Sequence, residues 1–309
     1  MLNVLSLFDG MSCGQLALKK AGIKVNKYFS SEIDKYAIKV TQANFPDTIQ
    51  LGDVKAITSN QVGTIDLFIG GSPCQGFSFA GKQLNFNDPR SKLFFEYARL
   101  LKEIKPKYFL LENVRMKKES QDIISKCLGI EPIAINSNIV SAQNRYRLYW
   151  TNIPFTIPKD KELILADILE PLEDLDPKYL AGDKLLKNYT GGNQLNPDYK
   201  SQANTVHDIT KPGPTLCAGT HGYANGYIQS MDVRKKSKAI RSGGRGSYDR
   251  HEWDSVDNLH CRKLTPLECE RLQTVPDRYT EEVSDTQRYK MLGNGWTVDV
   301  IAHIFGGLK

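Results

Sequence analysis

The stretch MLNVLSLFDGMSCGQLALKKAGIKVNKYFSSEIDKYAIKVTQAN, residues 1–44, alternates between two periodicities. Asn3 to Leu7 and Lys27 to Ser31 are short runs with β-branched or aromatic residues, and each is followed by an amphipathic stretch, Gln15 to Ala21 and Tyr36 to Asn44. Strand then helix, twice over, is the pattern of βαβ units. The alternation continues with Leu67 to Ile69 before Leu93 to Ile104, Tyr108 to Leu111 before Gln121 to Leu128, and then Ile133 to Asn136 and Leu148 to Thr151. It predicts a doubly wound, mostly parallel α/β sheet covered by helices on both faces.

Beyond about Pro158 the composition shifts to Pro, Gly, Asn and Lys, with short strand candidates at Thr215 to Ala218 and Tyr227 to Gln229. Helical spacing returns at Pro266 to Thr274, and again over Thr286 to Leu308 through Met291, Val298, Ile301 and Ile304. The expected organisation is a catalytic domain over 1–165, completed by 285–309, and a smaller loop-rich lobe over 166–284.

The chain has 309 residues, 40% hydrophobic and 25% charged, and no apolar run approaches the ~20 residues that a membrane helix requires. Asp9 interrupts the N-terminus before a basic n-region or a long apolar core develops, so this segment reads as a first strand and not a signal peptide, and the protein is expected in the cytoplasm. Cysteines 13, 74, 127, 217, 261 and 269 include no pair at two-residue spacing, which predicts reduced thiols and no structural metal. The net charge of +6 is concentrated in residues 234–250, where seven basic side chains face one acidic one. Such a segment suits a loop that contacts phosphates; the alternative is a solvated charged face.

Two local features carry chemistry. In Ile-Asp-Leu-Phe-Ile-Gly-Gly-Ser-Pro-Cys-Gln-Gly-Phe-Ser, residues 65–78, Cys74 follows a proline at the end of an apolar strand, the sheet edge where open α/β folds collect ligands. That position predicts a nucleophile rather than a buried hydrophobe. The first strand, in turn, runs through Phe8-Asp9-Gly10-Met11-Ser12-Cys13-Gly14 straight into a helix. This glycine turn approaches a ligand without the G-x-G-x-x-G spacing of a dinucleotide site. Glu32, closing the second strand, is placed to accept from ribose hydroxyls, and Asp53 from an exocyclic amine. Helix capping is the competing role for both carboxylates, more so for Asp53. The combination points to an adenosine ligand without a required phosphate, namely S-adenosylmethionine.

Phe-Asp-Gly-Met-Ser-Cys-Gly (8–14), Gly-Gly-Ser-Pro-Cys-Gln-Gly-Phe-Ser (70–78), Leu-Glu-Asn-Val (111–114), Gln-Asn-Arg-Tyr-Arg (143–147), Arg-Lys-Leu-Thr-Pro-Leu-Glu-Cys-Glu-Arg-Leu-Gln (262–273) and Leu-Gly-Asn-Gly-Trp (292–296) occur in this order. Nearly end to end, the chain resembles the C5-cytosine-specific DNA methyltransferases of bacteria and phage, with features of the animal de novo subgroup in Phe-Asp-Gly-Met and Trp296. The resemblance implies a Rossmann-like S-adenosylmethionine-dependent methyltransferase sheet with a target-recognition lobe. It implies that the Cys74 thiolate adds to C6 of a flipped-out cytosine in double-stranded DNA, and that C5 then accepts the methyl group. Glu112, in a site where desolvation favours a neutral carboxyl, would donate to N3, Arg147 would bind O2, and Arg145 would add positive charge beside thiolate and carboxylate.

By the same resemblance Phe8 stacks on adenine, Glu32 takes the ribose, Asp53 and Val54 hold the adenine, and Asp9, Gly10, Ser12, Gly14, Ile33, Pro73, Leu93, Asn294 and Trp296 complete the cofactor pocket. DNA contacts are expected from a closing loop over residues 75–90, through Gln75, Ser78, Ala80, Lys82 and Arg90, and from Gln202, Thr215, Arg241 and Arg245 in the second lobe. Ala80 stands where many relatives carry serine. Gln202 is the candidate to fill the gap left by a flipped base. Two rivals share these motifs: a methyltransferase acting on a transfer-RNA cytosine, and a catalytically silent DNA-binding regulator.

Overall fold

The computed structural model describes residues 1–73, 92–171, 174–181, 193–196, 200–219, 222–231 and 259–308. Its first half builds β1 (Leu2–Leu7), α1 (Cys13–Lys20), β2 (Val25–Ser31), α2 (Lys35–Asn44), β3 (Ile49–Gln50), α3 (Ser59–Val62), β4 (Leu67–Gly70), α4 (Lys92–Ile104), β5 (Tyr108–Val114), α5 (Lys118–Leu128), β6 (Ile133–Asn136) and β7 (Tyr146–Thr151). The seven strands form one sheet in the order β3-β2-β1-β4-β5-β7-β6. Strands β1 to β5 run parallel, and β7 is antiparallel to both neighbours. The reversal follows from chain length, because the 137–145 link between β6 and β7 is too short for a helical crossover.

Alternate side chains supply two cores, as the period of two along a strand requires. Val4, Leu67, Ile69, Leu110 and Tyr149 pack on one face, with Leu16 and Ala17 of α1. On the other face Leu5, Leu7, Phe68, Leu111, Leu148 and Trp150 pack against Phe94, Tyr97 and Leu100 of α4 and Ile124 of α5. Helix ends follow local chemistry: Asp34 caps α2 by accepting from the Tyr36 N–H, and Gly129 ends α5 in the left-handed conformation at φ 74°.

The second lobe holds a small sheet of β8 (Val206–His207), β9 (Tyr227–Met231) and β10 (Leu259–Arg262) in the order β10-β9-β8. Its own core is Leu195, Val206, Tyr227 and Cys261. The expected strand at Thr215–Ala218 does not form. Its backbone donors go to side chains instead, Leu216 to Gln143 and Cys217 to Asn225, which leaves no ladder to build.

Three further helices follow, α6 (Pro266–Leu272), α7 (Asp285–Asn294) and α8 (Val298–Phe305). Thr265 and Glu268 form a capping box on α6, with Pro266 in its first turn. The chain re-enters the main core before residue 285: Leu264, Cys269, Leu272, Val275 and Tyr279 pack in the same cluster as Val4 and Met11. The helical spacing of 286–308 resolves into α7 and α8, separated by the turn Gly295-Trp296-Thr297. None of the helices among the described residues is long and apolar enough to cross a membrane.

Candidate active site

A cleft of about 590 Å³ opens at the carboxyl ends of β1, β2, β4 and β5 and is closed on the far side by α7 and the turn after it. This is the point where strand order reverses, between β1 and β4, and where α/β sheets bind ligands. Phe8, Asp9, Gly10, Glu32, Ile33, Asp53, Val54, Pro73, Leu93, Asn294 and Trp296 all line it, as do Glu112, Arg145 and Arg147.

Phe8, Gly10 and Ser12 all adopt positive φ, at 56°, 58° and 64°, so the β1–α1 loop turns sharply enough to bring Phe8 and Gly10 to the cleft. Asp9 stabilises that turn from inside. Its carboxylate accepts from Tyr28 Oη at 2.7 Å, Ser12 Oγ at 2.6 Å and Ser30 Oγ at 3.1 Å, while burial pushes its pKa above the usual carboxylate value. Glu32 accepts from the N–H groups of Gly10, Ile33 and Asp34 at 2.8, 2.7 and 2.9 Å, which fixes it at the end of β2. Asp53 accepts from the Lys55 N–H, so this residue both caps a short helical turn and lines the cleft.

An adenosyl group fits these walls. Ile33 leaves 75% of its surface exposed beside the cleft, and Phe8 and Val54 add apolar faces, the surroundings that a flat base needs. Carboxylates at Glu32 and Asp53 supply acceptors for hydroxyl and amino groups. Ser12 and Gly14 do not reach the cleft. Ser12 is buried on Asp9, and a Cβ on Gly14 would lie 2.5 Å from Ile69 Cδ1 and 2.7 Å from Tyr28 Oη, so that glycine serves close packing of helix on sheet.

At the inner end of the cleft, Glu112 projects from the last turn of β5. Its Oε1 is 2.9 Å from Arg147 Nε, and its Oε2 accepts from Trp296 Nε1 at 3.1 Å. Each oxygen of Glu112 is thus held by one donor, Arg147 on one side and Trp296 on the other. Arg145 lines the same cleft as Glu112 and Arg147 and donates to the carbonyls of Leu216 (3.1 Å), Gly293 (3.0 Å) and Gly295 (2.9 Å), tying the second lobe to the turn after α7. The reason is position, since Arg145 lies one residue before β7 and is almost fully buried. Burial first and Arg147 second lower its pKa to about 9, which still leaves it charged at neutrality.

Residues beyond the sequence reading hold this arrangement. Asn113, next to Glu112, donates to Ser72 Oγ at 3.1 Å and to the Ser72 carbonyl at 3.4 Å, anchoring the segment that leads from β4. Gln273 donates to the carbonyls of Leu292 (2.6 Å) and Gly295 (3.2 Å) and accepts from Thr297 Oγ1, fixing the turn that carries Trp296. Both sit inside the conspicuous motifs, which was the available signal. Lys290 of α7 meets Asp34 at 2.7 Å across the cleft mouth; two residues lying 256 apart in sequence left no such signal. Cys74, Gln75, Ser78, Ala80, Lys82, Arg90, Arg241 and Arg245 lie outside the described residues; Pro73, the neighbour of Cys74 in the chain, lines the cleft. Gln202 and Thr215 are engaged within the protein: the Gln202 amide donates to the Thr215 carbonyl at 2.8 Å, and Thr215 Oγ1 bonds the Asn144 carbonyl. Among the described residues there is no cluster of side chains able to hold a metal.

A doubly wound sheet with a nucleoside-sized cleft ending on a carboxylate–arginine pair defines the class of α/β group-transfer enzymes. The family model for C-5 cytosine-specific DNA methylase matches residues 2–128 and 134–309, and the chain belongs to that family. It is similar to the type II methyltransferase M1.ScrFI of Lactococcus lactis subsp. cremoris, at 32% identity over 97% of this chain and 76% of that protein. It is also similar to the type II methyltransferase M.HhaI of Haemophilus parahaemolyticus, at 27% identity over 98% and 93%. Among solved structures, the Entamoeba histolytica methyltransferase EhMeth superposes with a TM-score of 0.75 at 19% identity, covering 100% of this chain and 99% of that one. The S. pombe Dnmt2 methyltransferase gives a TM-score of 0.69 at 19% identity, covering 100% of both chains. The protein is thus an S-adenosylmethionine-dependent cytosine-C5 DNA methyltransferase.

Proposed function

We propose that this enzyme methylates C5 of a cytosine flipped out of double-stranded DNA, through a transient bond between Cys74 and C6. The observation that carries the reading is the Glu112–Arg147 pair at the inner end of a nucleoside cleft, beside the Gly71–Pro73 segment that leads directly into Cys74. S-adenosylmethionine, held by Phe8, Glu32, Ile33, Asp53 and Val54, supplies an electrophilic methyl group.

Cytosine C5 is a weak nucleophile until the ring is saturated at C6. The Cys74 thiolate forms the S–C6 bond while Glu112 passes a proton to N3, and the resulting enamine places electron density on C5. Arg147 binds O2 and balances the charge. C5 takes the methyl group as the methyl–sulfonium bond of the donor breaks; the C5 proton then passes to solvent water, the S–C6 bond breaks to return the Cys74 thiolate, and the proton on N3 returns to Glu112. The base must leave the stack, because C6 is shielded in the duplex and the sulfur approaches from above the ring plane.

In this reading residues 1–165 and 285–309 belong to the catalytic unit, whose core also takes in Leu264, Cys269, Leu272, Val275 and Tyr279 from the 166–284 target-recognition unit, and the basic run 234–250 contacts the phosphate backbone. Methyl transfer from labelled S-adenosylmethionine to duplex DNA, together with a covalent adduct on DNA containing 5-fluorocytosine, is expected for the native chain and lost in Cys74→Ser. Transfer to tRNA in place of duplex DNA would reassign the substrate, and retained activity in Cys74→Ser would refute the covalent step.

A further inference from the structure

Trp296 occupies both halves of the site. It lines the cofactor cleft, and its indole N–H donates to Glu112 Oε2 at 3.1 Å. Arg147 takes the other oxygen, so the carboxylate is fixed in its plane by donors on opposite sides. The surrounding residues fit this bond. A Cβ on Gly71 would lie 2.9 Å from the indole nitrogen and 3.2 Å from Glu112 Oε2, so a glycine there keeps the bond intact. The far edge of the ring sits over Gly14, where a Cβ would be 3.7 Å from Cζ3. The turn that carries Trp296 is itself fixed by Gln273 and by the Arg145 bond to the Gly295 carbonyl.

We propose that Trp296 is a positioning residue for Glu112, beyond its place in the cofactor wall. By holding Oε2, the indole N–H orients Oε1 toward the edge of the target base alongside Arg147. The proposal rests on the function proposed above for Glu112. It also couples the two ligands: a side chain that touches the cofactor cleft sets the geometry of the group that receives cytosine.

The test pairs kinetics with a spectroscopic signature. In Trp296→Phe, which keeps an aromatic ring and removes the donor, kcat is expected to fall about tenfold to a hundredfold, the range for losing a hydrogen bond to a charged group. The KM for S-adenosylmethionine should stay within about twofold. In 15N-labelled native protein the Trp296 indole N–H resonance should lie downfield, and it should move in Glu112→Gln. The proposal is overturned by an unchanged kcat in Trp296→Phe, by a loss confined to cofactor KM, or by an indole resonance indifferent to Glu112→Gln. The resonance needs no turnover and no folded variant at 296, so it reads the bond even if the native chain fails to methylate duplex DNA, the result that would instead sink the proposed function.

Discussion

Replacing Glu268 should cost stability and spare chemistry. Glu268 is fully buried and pairs with Arg262, itself 1% exposed, through two bonds of 2.8 and 2.6 Å. It also accepts from the N–H groups of Thr265 (2.8 Å) and Glu170 (2.9 Å), so one carboxylate joins α6, β10 and the entry to the second lobe. Glu268→Ala leaves a buried guanidinium without its counter-charge and two backbone donors unpaired. Breaking a buried pair typically costs about 3–5 kcal/mol, a large share of the roughly 5–15 kcal/mol that holds a domain folded. With a urea m-value of about 3 kcal/mol/M for a chain of this size, the midpoint should fall by about 1–1.7 M. Urea denaturation followed by circular dichroism measures it, and Arg262→Met combined with Glu268→Leu should recover much of the loss, because the stranded charge is gone. A Glu268→Ala protein with native stability and no methyl transfer would refute the argument and place this residue in the reaction.

Asn113→Ala should reduce kcat by about tenfold or more while leaving cofactor KM nearly unchanged, because it frees Ser72 and the segment leading to Cys74; steady-state methylation assays decide it. Lys290→Met should raise the KM for S-adenosylmethionine by roughly twofold to fivefold, and the native enzyme should approach the variant as salt rises, since the half-exposed pair with Asp34 is screened. Gly14→Ala should destabilise the protein by about 1–3 kcal/mol through overpacking against Ile69 and Tyr28, read by the same urea titration. Burial lowers the His207 pKa below its ordinary 6.5, against a hydrogen bond to the Asn225 carbonyl that raises it. The unfolded chain therefore takes up the proton first, and stability should be full above about pH 6.5 and decline as pH falls through the folded value. His207→Gln should flatten that slope, and an unchanged slope would remove the assignment.

The alternation of period-two and period-3.6 stretches in residues 1–151 determined the α/β sheet, because each element buries a face whose spacing is local. Ordered motifs determined the family, and short-range chemistry placed Glu32 and Glu112 at strand ends and Asp53 at the cap of a short helical turn. Tertiary structure decided what those residues hold. Arg145 and Arg147 look equivalent in sequence, yet one is spent on three carbonyls and the other pairs with Glu112, because the partners come from residues 216, 293 and 295. Asp34 with Lys290, and Glu112 with Trp296, are likewise partners of the folded chain alone. A local pattern records which way a side chain faces; which distant group it meets depends on how the C-terminal turn and the second lobe close over the sheet.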